Sequence, residues 1–255
     1  MNLDGLEPSI LLPALVAGLL VLATHVPLGR EVLSRGIIFM DLAVAQMAGL
    51  GVVLGHGWGW ESVWAVQATA FGAAILGALL LYGFERRMTG VQEALIGSVF
   101  ILAATGELLL LSRDPHAGEV IQQLLAGQVL WVGWGQLIPV AVLYAGVLVL
   151  WLGLPVLRRG VGFYVLFAVA ITASVQLVGI YLVFASLILP ALAVRGLGAR
   201  GVALGYGVGV AGYAVGLALA ALADLPAGPA IVWALAASAL AVGLLRRHGR
   251  PSQAS

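Results

Sequence analysis

Apolar runs of about twenty residues, divided by charges and by Pro and Gly clusters, recur at about 10–28, 37–55, 62–83, 94–112, 136–157, 161–177, 179–195, 201–223 and 229–245. A helix needs roughly 20 apolar residues to cross about 30 Å of hydrocarbon. In lipid it must also bond every backbone N–H and C=O within itself. The pattern restricts the chain to an all-α, polytopic transmembrane helical bundle of about nine spans. Its weakest division is SVQLVG, which interrupts 35 otherwise apolar residues at 161–195, too many for one span and short for two. A partly re-entrant pair there would reduce the count to eight.

Of the 255 residues 62% are hydrophobic and 9% charged, against about a quarter charged in an average soluble domain. Residues 1–250 read as a single transmembrane domain and 251–255 as a short polar tail. Any ATPase or ligand-binding domain is expected on another chain. The N-terminus lacks the basic region of a cleavable signal peptide, so the first span is expected to remain. There is no Cys, which excludes disulfides and thiolate metal sites, and a net charge of +1 gives no reason to expect nucleic acid. Every basic residue is Arg, which together with abundant Ala, Gly, Leu and Val suggests a GC-rich bacterial genome.

The arginines test the span count independently. Arg30 and Arg35 follow the first run, Arg86 and Arg87 the third, Arg158 and Arg159 the fifth, Arg195 and Arg200 the seventh, and Arg246, Arg247 and Arg250 the ninth. The alternate connections carry Asp4, Glu7, Glu61, Asp114, Glu119 and Asp224, with only Arg113 against them. Positive charge gathers on cytoplasmic loops, which places the N-terminus outside and the C-terminus in the cytoplasm. Treating 161–195 as one helix would swap the later arginines to the other side. The outer connection 113–135 is the longest; Asp114 followed by Pro115 reads as an N-cap with Pro at the first helical position. EVIQQLLAGQVLW then reads as a short amphipathic helix, and Trp131 and Trp134 suit the membrane interface.

Ionisable groups inside spans are rare and face a bundle interior, a cavity or a partner. Here they are Asp41 and Glu107, with Gln46, Gln67, Gln92, Glu93 and Gln176 as uncharged or boundary company. Asp41 and Gln46 lie about 140° apart around a helix, so a shared site would need a kink, which Gly49 and Gly51 could supply. Asp41, Gln46 and Glu107 are candidate translocation residues. Their alternatives are a pair with Arg35 or a cap for Asp41, and interhelical hydrogen bonds for the other two. Outside, Asp114, His116 and Glu119 offer oxygen and imidazole donors, His116 and Glu119 at the spacing that shares a helical face. They are candidate metal ligands at an outer mouth, a mixture that Zn²⁺ and Mn²⁺ accept; otherwise they cap, support the first turn and are solvated. His56 reads as interfacial. No P-loop, nucleophile elbow, HExxH or EF-hand pattern occurs, and glycines within spans imply close helix packing.

Four stretches resemble the permease subunit of the bacterial zinc, manganese and iron ABC importers, the metal-chelate or ABC-3 family. FMDLAVAQMAGLGVVLG resembles the signature GDALSHAVLPGVALG, with Gln46 on the signature His, Leu42 on its Asp, and Asp41 displaced by one. QLLAGQVLWVGWGQL at 123–137, VQLVGIYLVFASLILPALAVR at 175–195 and ADLPAGPAIV at 223–232 are similar to other family stretches, in the family's order. The resemblance implies no enzyme activity on this chain and no tightly bound cofactor. It implies import of a divalent metal (zinc or manganese, or iron) across the bacterial inner membrane. The implied partners are a cytoplasmic ATP-binding subunit, an extracytoplasmic metal-binding protein and a second permease subunit in a homodimer or heterodimer. The family's longer inner stretch between the fifth and sixth spans, which docks on the ATPase, is reduced here to LPVLRRGVGF. Arg158, Arg159, Arg195 and Arg200 are candidates for ATPase coupling. Competing readings are an ion-coupled secondary transporter using Asp41 and Glu107, and a non-transporting degenerate permease.

Overall fold

Among the residues that the computed structural model describes, 7–88, 90–112 and 114–248, the chain forms ten α-helices and no strand. They are α1 Pro8–Arg35, α2 Met40–Gly57, α3 Val63–Arg87, α4 Gln92–Leu111, α5 Ala117–Ala126, α6 Trp134–Gly153, α7 Gly160–Val178, α8 Ile180–Ala193, α9 Arg200–Ala223 and α10 Ala227–His248. The polar tail 251–255, and Asp4, Arg113 and Arg250 of the charge pattern, lie outside the described residues. Apart from the short α5, the helices coincide with the nine apolar runs. Seven are long and apolar enough to cross a membrane by themselves: α1, α3, α4, α6, α7, α9 and α10. The other two are α2, whose apolarity Asp41, Gln46 and His56 dilute, and the 14-residue α8.

The chain divides the doubtful 161–195 region at Gly179, which takes φ +80 between α7 and α8. Hydrogen bonds show which helix ends share a side. Arg35 Nη2 donates to Arg158 O at 2.5 Å, Arg30 Nη2 to Gly198 O at 2.6 Å, and Arg246 to Ala193 O at 2.5 Å and Arg195 O at 2.9 Å. The start of α7 and the end of α8 therefore lie on one side with the end of α1, as the arginine pattern requires. Gly179 belongs to the opposite side, where it meets Gly127 at the end of α5.

The core lies around α1, α7 and α8, with Val21, Leu22, Phe163, Phe167, Ile171, Leu182 and Val183 fully enclosed. Apolar burial gives little drive between helices in lipid, so close packing and interhelical hydrogen bonds carry association. Leu22 of α1 lies on Gly209 of α9, and Ile231 and Leu235 of α10 lie on Gly216 and Gly212. Tyr144 of α6 bonds Ser174 of α7, and Ser186 of α8 bonds the Tyr213 hydroxyl of α9 at 2.9 Å. At the inner end the Arg35 guanidinium stands 4.0 Å over Phe163, whose ring adjoins Trp151, Tyr164 and Phe167.

The outer connection departs from the sequence reading at both ends of its helix: α5 stops at Ala126, because Gly127 turns the chain at φ +70, so GQVLW falls outside it. α5 starts at Ala117, and Asp114 Oδ1 accepts the His116 N–H at 2.8 Å in the turn before it. Asp114 thus orders the approach instead of capping the helix, because the Asp114-Pro115-His116 turn intervenes. Trp131 is 83% exposed and Trp134 half exposed, as an interfacial placement requires.

Gly127 and Gly179 combine positive φ with backbone-to-backbone contact, leaving no room for a Cβ. Gly127→Ala or Gly179→Ala should lower stability by at least about 2 kcal/mol through overpacking and left-handed strain. The thermal midpoint in detergent checks this; a variant melting with the wild type would show that the contact relaxes freely.

Candidate functional site

Three polar side chains of α2 and α4, Asp41, Gln46 and Glu107, are buried. Asp41 is 1% exposed, and Gln46 and Glu107 are 4% exposed. Gln46 Oε1 and Glu107 Oε1 find no hydrogen-bond donor among the described residues, and the Asp41 carboxyl faces only the backbone N–H groups of Asp41 and Leu42 in its own first helical turn, without closing a hydrogen bond. The pairing of Asp41 with Arg35 does not form, because Arg35 bonds Glu31 at 2.8 Å and the Arg158 carbonyl. Nor do Gln46 and Glu107 make the interhelical bonds that would explain them as packing groups. α2 is one uninterrupted helix, and its Gly49 and Gly51 serve close approach. A Cβ on Gly49 would stand 2.5 Å from Glu107 Oε1, and one on Gly51 2.8 Å from Ala70 Cα of α3. Gly49 is therefore the seat on α2 into which the Glu107 carboxyl fits. Gln46 lies three residues before Gly49 and shares that side of α2.

The inner end of α2 adds a further carboxylate. Glu93 Oε1 accepts the Ile38 N–H at 2.8 Å in the turn between α1 and α2, and Glu93 Oε2 is buried without a partner. Asp41 stands in the first turn of α2, three residues beyond Ile38.

At the outer end a cavity of 850 Å³ opens between α2, α3, α4, α5 and α7. His56, Glu61, Asp114, Gln67, Gln176 and Gln123 supply its polar lining, and the Gln67 and Gln176 side chains bond one another across it. Val52 and Val53 of α2 and Leu110 and Leu111 of α4 line the same cavity. These are the residues three and four beyond Gly49 and Glu107, so the seated carboxyl lies about one helical turn, roughly 5 Å, below the cavity wall. From outside to inside the order is cavity, Glu107, Gln46, then Asp41 with Glu93.

The outer candidates are not gathered into a ligand set. Asp114 lines this cavity, whereas Glu119 lines a second one of 420 Å³ between α5 and the 225–229 turn, and all three of Asp114, His116 and Glu119 are exposed. His116 Nδ1 stands 3.7 Å from Asp114 Oδ1. No group of three His, Asp or Glu side chains among the described residues is placed to hold a metal ion. His116 precedes α5 and Glu119 stands in its first turn, so the two do not share a helical face, and Asp114 and Glu119 line different cavities.

The model of the ABC 3 transport family matches residues 7–154 and 150–246, nearly the whole chain. The chain belongs to the ABC-3 transport family. It is a multi-pass membrane permease of that family. Among solved structures this permease is similar to PsaBC from Streptococcus pneumoniae in complex with Fab, at 20% identity and a TM-score of 0.72 over 94% of this chain and 93% of that one. It is also similar to a protein described as a metal-chelate type ABC transporter in an inward-facing conformation, at 15% identity and a TM-score of 0.52 over 93% and 78% of the two chains. At these identities the likeness is one of fold. No curated protein sequence matches it.

On the inner side of the ABC-3 permease, the coupling candidates divide. Arg158 turns back on its own helix end, donating to Trp151 O at 2.6 Å and Leu152 O at 3.2 Å, and so satisfies carbonyls that α6 leaves open. Arg159, Arg195 and Arg200 are exposed. Between α6 and α7 the inner connection is the single turn Pro155–Arg158. One buried group escaped the sequence reading: His25 of α1 is fully enclosed, with Nδ1 3.0 Å from Thr24 Oγ1 and Nε2 unpartnered. A lone His within an apolar run was the available signal.

Because the permease contains no Cys, single cysteines report on both ends of the bundle. Gln176→Cys in the cavity should react with a membrane-impermeant maleimide in intact cells, and Arg200→Cys only in inverted vesicles. Labelling with the sides reversed would overturn the orientation, and an inert Gln176→Cys would remove the aqueous cavity.

Proposed function

We propose that this permease imports a divalent metal ion, zinc, manganese or iron, across the bacterial inner membrane, driven by ATP hydrolysed on a separate cytoplasmic subunit. The observation that carries the reading is the outer cavity ending one turn above a series of buried, unpartnered oxygens. An unpaired polar atom in a hydrocarbon surround costs free energy that packing does not return. Such groups persist where they meet something that passes. The metal enters the cavity, delivered by an extracytoplasmic metal-binding protein, and moves past Glu107, Gln46 and Asp41 to the cytoplasm. Family membership supports the ATP-binding and binding-protein partners, and a second permease subunit completes the transporter, here read as a homodimer. Asp114, with His116 beside it, acts in this reading at the rim of the cavity and draws cations towards the mouth, and Glu119 adds negative charge on the same outer face. Arg159, Arg195 and Arg200 face the ATPase.

Asp41→Asn, Gln46→Ala and Glu107→Gln should each reduce metal uptake at least tenfold in cells expressing the complete transporter, with folded protein at wild-type levels. Unchanged uptake would remove the residue concerned from the pathway. Purification from native membranes in mild detergent should recover a P-loop ATPase by mass spectrometry. Recovery of none, under conditions that preserve other ABC complexes, would favour an ion-coupled carrier that uses the same two carboxyls.

A further inference from the structure

We infer that the ATP-binding subunit bears on the loop between α8 and α9, residues 194–199, and that Arg30 and Arg246 carry its motion into the bundle. The inference rests on the transport reading above and names the surface and the levers through which its ATP-driven partner acts.

Four connections share the arginine-rich side of the bundle, and they differ in what they offer. The α1–α2 turn is tucked in, with Ile37 1% exposed and the Ile38 N–H taken by Glu93 of α4. The α3–α4 connection is held by Gln92 Nε2, which donates to Glu85 O at 3.4 Å and so joins only its own two helices. The α6–α7 turn is short and mainly apolar on its exposed side, where Leu154 and Val156 are 47% and 75% exposed, and Arg158 folds back on the end of α6. Apolar surface of that kind is stable against lipid and costly against water. The α8–α9 loop presents Arg195, Gly196, Gly198, Ala199 and Arg200, all exposed. No Asp or Glu occurs between Glu119 and Asp224, so this part of the chain supplies nothing to neutralise the two arginines. A positive, water-facing loop calls for an acidic surface on the partner.

The same loop is braced by both of its neighbours. Arg30 of α1 donates to Gly198 O at 2.6 Å. The guanidinium of Arg246 of α10 spans two carbonyls, Ala193 O at 2.5 Å and Arg195 O at 2.9 Å. Positive φ at Gly196 and Gly198, +83 and +53, gives the chain the turns it needs between these bonds. A push on the loop therefore reaches α1 and α10 through side-chain bonds as well as through the loop's own ends. These helices belong to one tightly packed unit. Gly29 of α1 lies on the Leu187 backbone of α8, Val26 of α1 on Gly205 of α9, and Ile231 of α10 on Gly216 of α9. A second set of glycine contacts joins α2 to α3 at Gly51 and to α4 at Gly49. The first unit carries the loop, and the second carries Asp41, Gln46 and Glu107. Rigid units that slide or turn against one another convert a local push into a displacement at a distance.

The test places the photo-crosslinking residue p-benzoylphenylalanine in turn at Ala199, Val156 and Met88 of the complete transporter in native membranes. Position 199 should capture the ATP-binding subunit at least about fivefold more than either of the others. In proteoliposomes given MnCl₂ or ZnCl₂ alone, Arg30→Gln and Arg246→Gln should hydrolyse ATP near the wild-type rate yet move at least about fivefold less metal per ATP. A residue that served folding alone would lower assembly, hydrolysis and uptake together. If the variants do not elute as the wild type on size exclusion, the capture pattern decides. Equal capture from all three positions, or stronger capture from 156 or 88, overturns the loop as the bearing surface. An unchanged metal-to-ATP ratio in both variants overturns the levers, and in each of these cases the transport reading stands. A purified complex without any ATP-binding subunit overturns that reading itself.

Discussion

In hydrocarbon a polar atom without a partner has no water to turn to, and nearly every feature of this bundle follows from meeting that constraint. The backbone meets it by remaining helical. Arg158 and Arg246 meet it at helix ends, donating to carbonyls that α6 and α8 leave open. Tyr144 with Ser174, and Ser186 with Tyr213, meet it across helix pairs in the core. Against so thorough a pattern, the unpaired oxygens of Asp41, Gln46 and Glu107 stand out as exceptions on two adjacent helices.

Close approach between helices is the second part of the design, and glycine makes it possible in two different ways. Along α9, Gly209, Gly212 and Gly216 receive apolar side chains from α1 and α10, which is packing alone. At Gly49 the arriving group is a carboxyl, so the same absence of a Cβ creates a polar position deep in the bundle. Gly127 and Gly179 form a third type of contact, backbone on backbone. It ties the end of α5 to the turn between α7 and α8, between the two outer cavities.

The spans, and which of their ends share a side, were legible because hydrocarbon thickness imposes a length on every helix and the arginines mark alternate connections. Even the break at Gly179 was visible, since charge on both sides of 161–195 requires two crossings. What could not be read is which long-range partner each polar group finds. Arg35 was free to meet Asp41 by sequence distance, yet it bonds Glu31 one turn back and the Arg158 carbonyl of the turn before α7. Gly49 and Gly51 were legible as interruptions, but no local pattern indicates that α4 delivers Glu107 to one of them. Helical spacing suggested Asp114, His116 and Glu119 as neighbours, but it says nothing of the turn before α5 or of the cavity on either side of it, and Asp114 and Glu119 line different cavities. His25 was passed over because no carboxylate or second histidine lies near it in sequence to mark it as more than a packed residue.

A transported ion has to leave as well as arrive. Four ligands closed around a metal in a tetrahedral cage make a structural site, and a site that holds its ion does not conduct it. Conduction requires binding favourable enough to draw the ion from water and weak enough, or shared among enough positions, to release it. In the proposed reading, Glu107 and Gln46 lie near the outer cavity, and Asp41 and Glu93 stand at the inner end of α2, so no single level holds a complete set. Each step then exchanges some protein oxygens for others, or for water. The pair formed by Gln67 and Gln176 differs in kind. It lines the cavity, where water can take the place of either amide, so opening it strands no buried group. The deep oxygens have no such substitute, and for that reason their lack of partners bears on the cargo and not on the packing.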